Sequence, residues 1–340
     1  MSRLRTPFVL FVAALISAGL LAACGGGSDK SGESPQAILD EATLEGIDSG
    51  KIDLTLGVEA SGPEGGTVDL SLSGPFQGEG KGSLPQLDLT AEAKGSIDGE
   101  KLDFEGGIVL LPNSAYVNYE GVEYEVDPTT FAFVESTLKE AQREAGAETG
   151  SAGAAACQEE LGELKVADFL EEGANEGSTE VDGTATTKIS GDLDVSGAID
   201  TVLEAVESPA CRAQLAAAGP LPSEAEIEKA KDEVTGSLKS AHVDVYVGDD
   251  DIVRQISAQL KIEPENSGKG PKSVEIDFDL KLSGVNEEQE ISPPENAKPL
   301  SKLFLKLGVN PIELLGLLQG EGGGEGLGEL LEGLGASQLR

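Results

Sequence analysis

The sequence predicts an α+β domain built on an antiparallel β-meander, and three features predict it. Short runs in which apolar and polar residues alternate recur along most of the chain, as in KIDLTLGVEA (51–60) and TVDLSLSG (67–74). Glycine or proline separates these runs, marking turns rather than long crossovers. Stretches with helical spacing interrupt them near residues 35–46, 129–170, 198–218 and 223–235. A sheet with one apolar and one polar face, plus a few helices to cover the apolar side, accounts for all three.

The elements follow in chain order. Ser34-Pro35 suits a helix start, serine as the N-cap and proline in the first turn, and Ile38, Leu39, Ala42 and Leu44 give that helix an apolar side. Ile52, Leu54, Leu56 and Val58 then alternate with Lys51, Asp53, Thr55 and Glu59. Val68, Leu70 and Leu72 repeat the pattern, followed by Leu87, Leu89, Ala91 and Ala93, and by Leu102 and Phe104. Residues 108–127 supply further strands around turns at Pro112-Asn113 and Glu120-Gly121. Phe131, Phe133, Val134 and Leu138 open the acidic helical region of 129–170. Residues 181–195 return to strand, 198–218 are helical and contain Cys211, and Ser223 to Glu226 fits a capping box. Three long strands close the domain, carrying Val243, Val245 and Val247 in the first and Phe278 and Leu280 in the last.

The N-terminus carries an export signal. Arg3 and Arg5 precede an unbroken apolar or small-residue run from Phe8 to Leu21, shorter than the roughly 18 residues that span a bilayer. Leu21-Ala22-Ala23-Cys24 resembles the lipobox of bacterial lipoproteins, in which the cysteine is diacylated and becomes the first mature residue. The plainer alternative is an ordinary signal cut near Ala23. The expected organisation is a signal peptide over 1–23, a flexible tether over 24–34, one domain over 35–298, and a Leu/Gly/Glu-rich, partly disordered tail over 299–340. Localisation follows: the outer side of a bacterial cell membrane, held through a diacylglyceryl group on Cys24.

Charge narrows the partners. Lys+Arg 24 against Asp+Glu 62 gives a formal charge of −38, and loss of Arg3 and Arg5 makes the mature chain more acidic still. Nucleic acid is excluded as a partner, since its phosphates need cations. Adsorption on anionic headgroups through overall charge is disfavoured for the same reason. No protein partner is identifiable. The apolar helical faces at Leu300, Leu303, Phe304 and Leu307 and at Leu314, Leu315, Leu317 and Leu318 are expected to pack or to meet a partner helix, without a basic rim to suit a membrane. With Cys24 assigned to lipid, Cys157 and Cys211 form an even pair that an oxidising compartment joins as a disulfide; two free buried thiols are the alternative.

Catalytic and metal templates fail. No G-x-S-x-G, dinucleotide-binding or phosphate-loop motif occurs, and Lys81 is followed by glycine where a phosphate loop needs Ser or Thr. His242, the single histidine, is expected on the polar side of its strand as a solvated residue. Asp192, Asp194, Ser196, Gly197 and Asp200 approach an EF-hand loop, but the closing glutamate arrives one place late at Glu204, after a strand rather than a helix. Asp249-Asp250-Asp251 reads as a hairpin turn with its charges in water. Neither a metal nor a cofactor is expected, and the protein is expected not to be an enzyme.

Four stretches resemble a known group. They are SPQAILDEATLEGIDSGKIDLTLGVEASG, AYVNYEGVEYEVDP, STEVDGTATTKISGDLDV and HVDVYVGDDDIVRQISAQLKI, the last with Tyr246 where the group usually has tryptophan. Together they resemble the mycobacterial LppX/LprG lipoproteins, whose fold is related to the LolA lipoprotein carriers. The resemblance covers about residues 35–297; the acidic region near 140–170 and the tail after 300 have no counterpart in it. It implies a strongly curved antiparallel sheet, a half-barrel, with helices packed on its concave face and an apolar cavity between them for the acyl chains of a lipid or glycolipid. The residues expected to line that cavity are Ile52, Leu54, Leu56, Val58, Leu70, Leu72, Leu87, Leu89, Phe104, Phe131, Val245, Phe278 and Leu280. The competing reading is a surface interaction or structural lipoprotein in which the same rows fill a dry core, because core and cavity walls demand the same side chains.

Overall fold

The computed structural model describes residues 30–62, 65–78, 83–97, 99–132, 135–136, 169–198, 200–201, 208, 211, 231, 235–264 and 270–308. They form a large open, curved sheet of twelve strands with helices on one face, the expected α+β half-barrel. Strands β1 (Ser49–Ser61), β2 (Gly66–Gln77), β3 (Gln86–Ile97), β4 (Glu100–Leu111), β5 (Ser114–Tyr119) and β6 (Val122–Glu125) run as an antiparallel meander. A second meander comprises β7 (Leu170–Val181), β8 (Thr184–Leu193), β9 (Leu238–Gly248), β10 (Val253–Ile262) and β11 (Ser273–Ser283). The two join where β1 pairs with β11, from Lys51 opposite Ser283 to Ser61 opposite Ser273. Two-residue β12 (Lys298–Pro299) adds a parallel edge beside β6.

Register places one residue set on each side. Leu56 lies opposite Leu70 on β2 and Phe278 on β11, and the row continues to Ala93 and Phe104 one way and to Ala258 and Val243 the other. The next row aligns Leu54 with Leu72, Leu280, Ile256, Val245 and Ile189. A side-chain period of two, held over adjacent strands, puts most of the polar residues on the second face, where β4 nevertheless buries Val109 opposite Asp88. Gly74 and Gly95 let β2 and β3 approach more closely than other residues permit. A Cβ at Gly74 would meet the Asp88 carbonyl oxygen at 1.9 Å, and one at Gly95 would meet that of Thr67 at 2.0 Å, both at positive φ.

The core sits under the first helix. In α1 (Pro35–Glu41), Ser34 Oγ accepts a hydrogen bond from the Ala37 N–H, and Pro35 occupies the first turn. Ile38 and Leu39 then pack against Ile189, Val243, Val245, Val247, Val253, Ala258 and Phe278. Ile38 is completely buried. Replacing it by alanine is expected to cost about 2–5 kcal/mol in urea denaturation, with the denaturant slope unchanged.

Three expectations need correction. The first helix ends at Glu41 rather than near residue 46, because Thr43 turns extended and bridges the β9–β10 hairpin: its N–H donates to Asp251 O, and its carbonyl accepts from Val253 N–H, both at 2.9 Å. The strand expected over 181–195 is β8 (Thr184–Leu193), and the residues between it and the helical region expected to end at 170 form the edge strand β7. LEEGANEGSTEV has no alternating apolar row because an edge strand interrupted by register shifts needs little of one. Asp251 is not in water. It is 3% exposed and forms a buried ion pair with Lys30, itself 2% exposed, while Asp250 holds the Arg254 guanidinium at 2.7 Å.

Candidate functional site

Twelve of the thirteen expected cavity residues lie on the apolar face of the sheet; Phe131 is in a helical turn after β6 and is buried. They divide into two groups. Val245 and Phe278 belong to the core beneath α1, and Leu54, Leu56 and Leu280 pack against it. Ile52, Val58, Leu72, Leu87 and Leu89 are half-buried, whereas Leu70 is 39% and Phe104 43% exposed. Ile108, opposite Leu89 on β4, is 43% exposed as well. The face that is core on one half of the sheet is thus open to solvent on β2 and β4.

Ile108 had a usable signal in the sequence. It follows Phe104 and Gly106 at a spacing of two, but the intervening Gly106-Gly107 broke the apolar alternation that identifies a strand face. Those glycines have a job in packing. The Phe104 ring leans over Gly106, where a Cβ would come within 2.8 Å of it, and meets Tyr119 at a centroid distance of 6.3 Å and an angle of 58°.

The rim of the open face is made by the second helix. α2 (Leu300–Leu307) follows directly from β12, buries Leu303, and ends on Gly308 in the left-handed conformation. Lys306 stands 4.9 Å above the Tyr119 ring and pairs with Glu120, whose carboxylate, first as hydrogen-bond acceptor, pushes the Lys306 ammonium above its usual range. Tyr119 and Phe104 therefore run continuously from α2 to the exposed part of the sheet. Among the described residues the open face offers mainly aliphatic and aromatic surface.

The polar face holds a more chemical-looking cluster. His242 Nδ1 lies 2.9 Å from Asp192 Oδ1, and Nε2 lies 3.0 Å from Ser190 Oγ, beside a pocket of about 290 Å³ lined by Thr55, Asp244, Ser257, Gln259, Asp277 and Asp279 among others. His242 lies on the polar side of its strand as the sequence leads one to expect, 43% exposed, and has partners on both ring nitrogens. The distances suit a Ser-His-Asp triad, but the hydroxyl proton does not. Ser190 Oγ donates its proton to Asp244 at 2.6 Å, so that proton is not directed at Nε2 as a triad requires. This cluster ties β8 to β9. Asp194, from the EF-hand-like stretch, accepts from the Gly197 N–H at 2.8 Å and caps a helix start.

Asp244 gives the cluster a pH signature. Burial pushes its carboxyl up, but the Ser190 hydroxyl, the Lys188 ammonium at 3.0 Å and His242 outweigh that and hold it below the usual range. A carboxyl depressed in the folded state contributes stability that is complete above the ordinary value of 3.8 and is lost as pH falls below it. Asp244→Asn is expected to flatten the acid limb of the stability curve below that value, measured by thermal melting across pH.

Cys24 and Cys157 lie outside the described residues. Cys211 is fully buried, and its N–H donates to Ser208 Oγ. Among the described residues no helix is long and apolar enough to cross a membrane.

Comparison with known proteins adds similar solved structures. No family model matches the chain, and no curated protein matches it. Among solved structures, the chain is similar to LprF from Mycobacterium bovis, with 14% identity over 79% of this chain and 99% of that one and a TM-score of 0.32. It is also similar to the Mycobacterium tuberculosis lipoprotein LppX, a member of the group resembled in sequence, with 12% identity over 76% of this chain and 98% of the other and a TM-score of 0.29. Likeness at these scores carries no argument about ligand or site, and the fold class rests on the sheet itself.

Proposed function

We propose that this chain is an exported lipoprotein, anchored by a diacylglyceryl group on Cys24 and braced by a Cys157–Cys211 disulfide, that binds the acyl chains of a lipid or glycolipid against its sheet. One observation carries the reading. Leu70, Phe104 and Ile108 are 39–43% exposed on a face whose other half is the hydrophobic core. Burying acyl carbons there yields about 0.8 kcal/mol per methylene, so affinity needs no polar anchor and no catalytic group. The half-buried neighbours Val58, Leu72 and Leu89 extend the surface along the strands, the direction an extended chain would follow.

The test is the intact mass of the mature chain carrying Cys24→Ser, produced in a bacterial host and measured under native conditions, followed by organic extraction. A co-purifying lipid, or uptake of added phospholipid, is the expected result. A bare protein mass with no uptake would make the strongly acidic chain a surface interaction module with a dry core.

A further inference from the structure

The chain has a formal charge of −38, yet Asn296 to Asn310 contains three lysines and no acid. Residues 298–307 of this stretch are β12 and α2, the rim of the open face. The sequence reading expected an apolar helix here without a basic rim. Lys298, Lys302 and Lys306 supply one, and the structure shows how it is arranged.

The helix is divided. Leu303 is buried, and Leu300, Phe304 and Leu307 are half-buried on the same side, which the helical period of 3.6 requires. Leu305 projects the other way and is 76% exposed, well beyond Leu70, Phe104 or Ile108. Lys302 lies one turn before it and is exposed, as is Lys298 on β12. Lys306 is used internally, fixing the helix to Tyr119 and Glu120. A water-facing leucine beside exposed Lys302, on a helix already held by its own apolar side, is not used in packing among the described residues.

We propose that this edge docks the domain on a phospholipid bilayer, with Leu305 entering the headgroup–acyl boundary and Lys298 and Lys302 pairing with lipid phosphates. Lysine is depleted from the cores of protein–protein interfaces but suits a membrane surface, where its stem lies along apolar groups and its ammonium meets phosphate. The acidic body does not prevent this. At physiological ionic strength the screening length is about 8 Å, so the bilayer senses the charges at the contact and little of those beyond it. The inference deepens the proposed function: Tyr119 and Phe104 join the docked edge to the open face, placing the acyl site beside the source of its ligand.

The test uses the full mature chain with Cys24→Ser, so that no acyl anchor contributes, and co-sedimentation with vesicles of equal phosphatidylglycerol and phosphatidylcholine or of phosphatidylcholine alone. The parent is expected to bind the anionic vesicles more tightly. Leu305→Glu should weaken that binding at least tenfold, and Lys298→Gln or Lys302→Gln by about fivefold each, removing the preference for anionic vesicles. Uptake of a monomeric fluorescent fatty acid from solution should be unchanged in Leu305→Glu, because Leu305 is not on the open face. Vesicle binding without fatty-acid uptake would uphold docking while removing the ligand reading. Docking is overturned if the parent ignores vesicles, if Leu305→Glu binds them as the parent does, or if Leu305→Glu instead breaks a dimer of the parent.

Discussion

Asp251→Asn is expected to destabilise the protein by about 3–5 kcal/mol, read as a lower midpoint in urea or thermal unfolding. Lys30 and Asp251 are 2% and 3% exposed, so neutralising one partner leaves the other charged and out of water. The pair does more than join two side chains. Asn175 donates from Nδ2 to the Lys30 and Glu33 carbonyls at 3.0 Å, and Thr43 pairs with the backbone on either side of Ile252. The segment before β1 is thereby strapped across the β9–β10 hairpin and the edge strand β7. Asp251 holds a left-handed φ of 62°, which asparagine also adopts readily, so the substitution removes the charge without adding backbone strain. A stability within 1 kcal/mol of the parent would show that Lys30 reaches water when unpaired. Under the proposed anchor the strap also sets reach: six residues, 24 to 29, precede Lys30, at most about 20 Å of extended chain.

The combined variant Leu70→Glu and Ile108→Glu is expected to lower uptake of a fluorescent phospholipid roughly a hundredfold while leaving the fold intact. Two carboxylates in the middle of the open face would separate about four methylenes of a bound chain from their apolar contact, about 3 kcal/mol at 0.8 kcal/mol each. Because both side chains are already 39–43% exposed, the cost to stability should stay near 1 kcal/mol. Phe278→Ala is the contrasting control. Phe278 is 8% exposed within the core, so its truncation should lower stability by about 3–5 kcal/mol and disturb binding only through the fold. Undiminished uptake by the double variant would remove the open face as the ligand site.

The sheet was legible because its signal is local. Alternation in 51–60, 67–74 and 273–283 survives whatever the strands pair with, since a residue's side follows from its place in the strand. The turns at Pro112-Asn113 and Glu120-Gly121 were legible for the same reason. What escaped was β7, whose glycines and glutamates carry no such alternation, and the end of α1, where pairing by Thr43 overrides the helical pattern of Ala42 and Leu44. The candidate site was legible as a face and not as a place on it. Val245 and Leu70 have the same alternating context, yet one is 3% and the other 39% exposed.

By itself the sequence determined the acidic balance and two sheet faces of opposite character, both properties of composition and of neighbouring residues. Only the tertiary structure decided that β1 pairs with β11, two strands more than two hundred residues apart in the chain, and so joins the two meanders. It also decided that Asp251 belongs to Lys30 rather than to water, and that the apolar face is core beneath α1 but open at Phe104 and Ile108. The physical reason is common to all three. Burial and pairing depend on what lies opposite a residue, and nothing in a residue's near neighbours encodes a partner so distant in sequence.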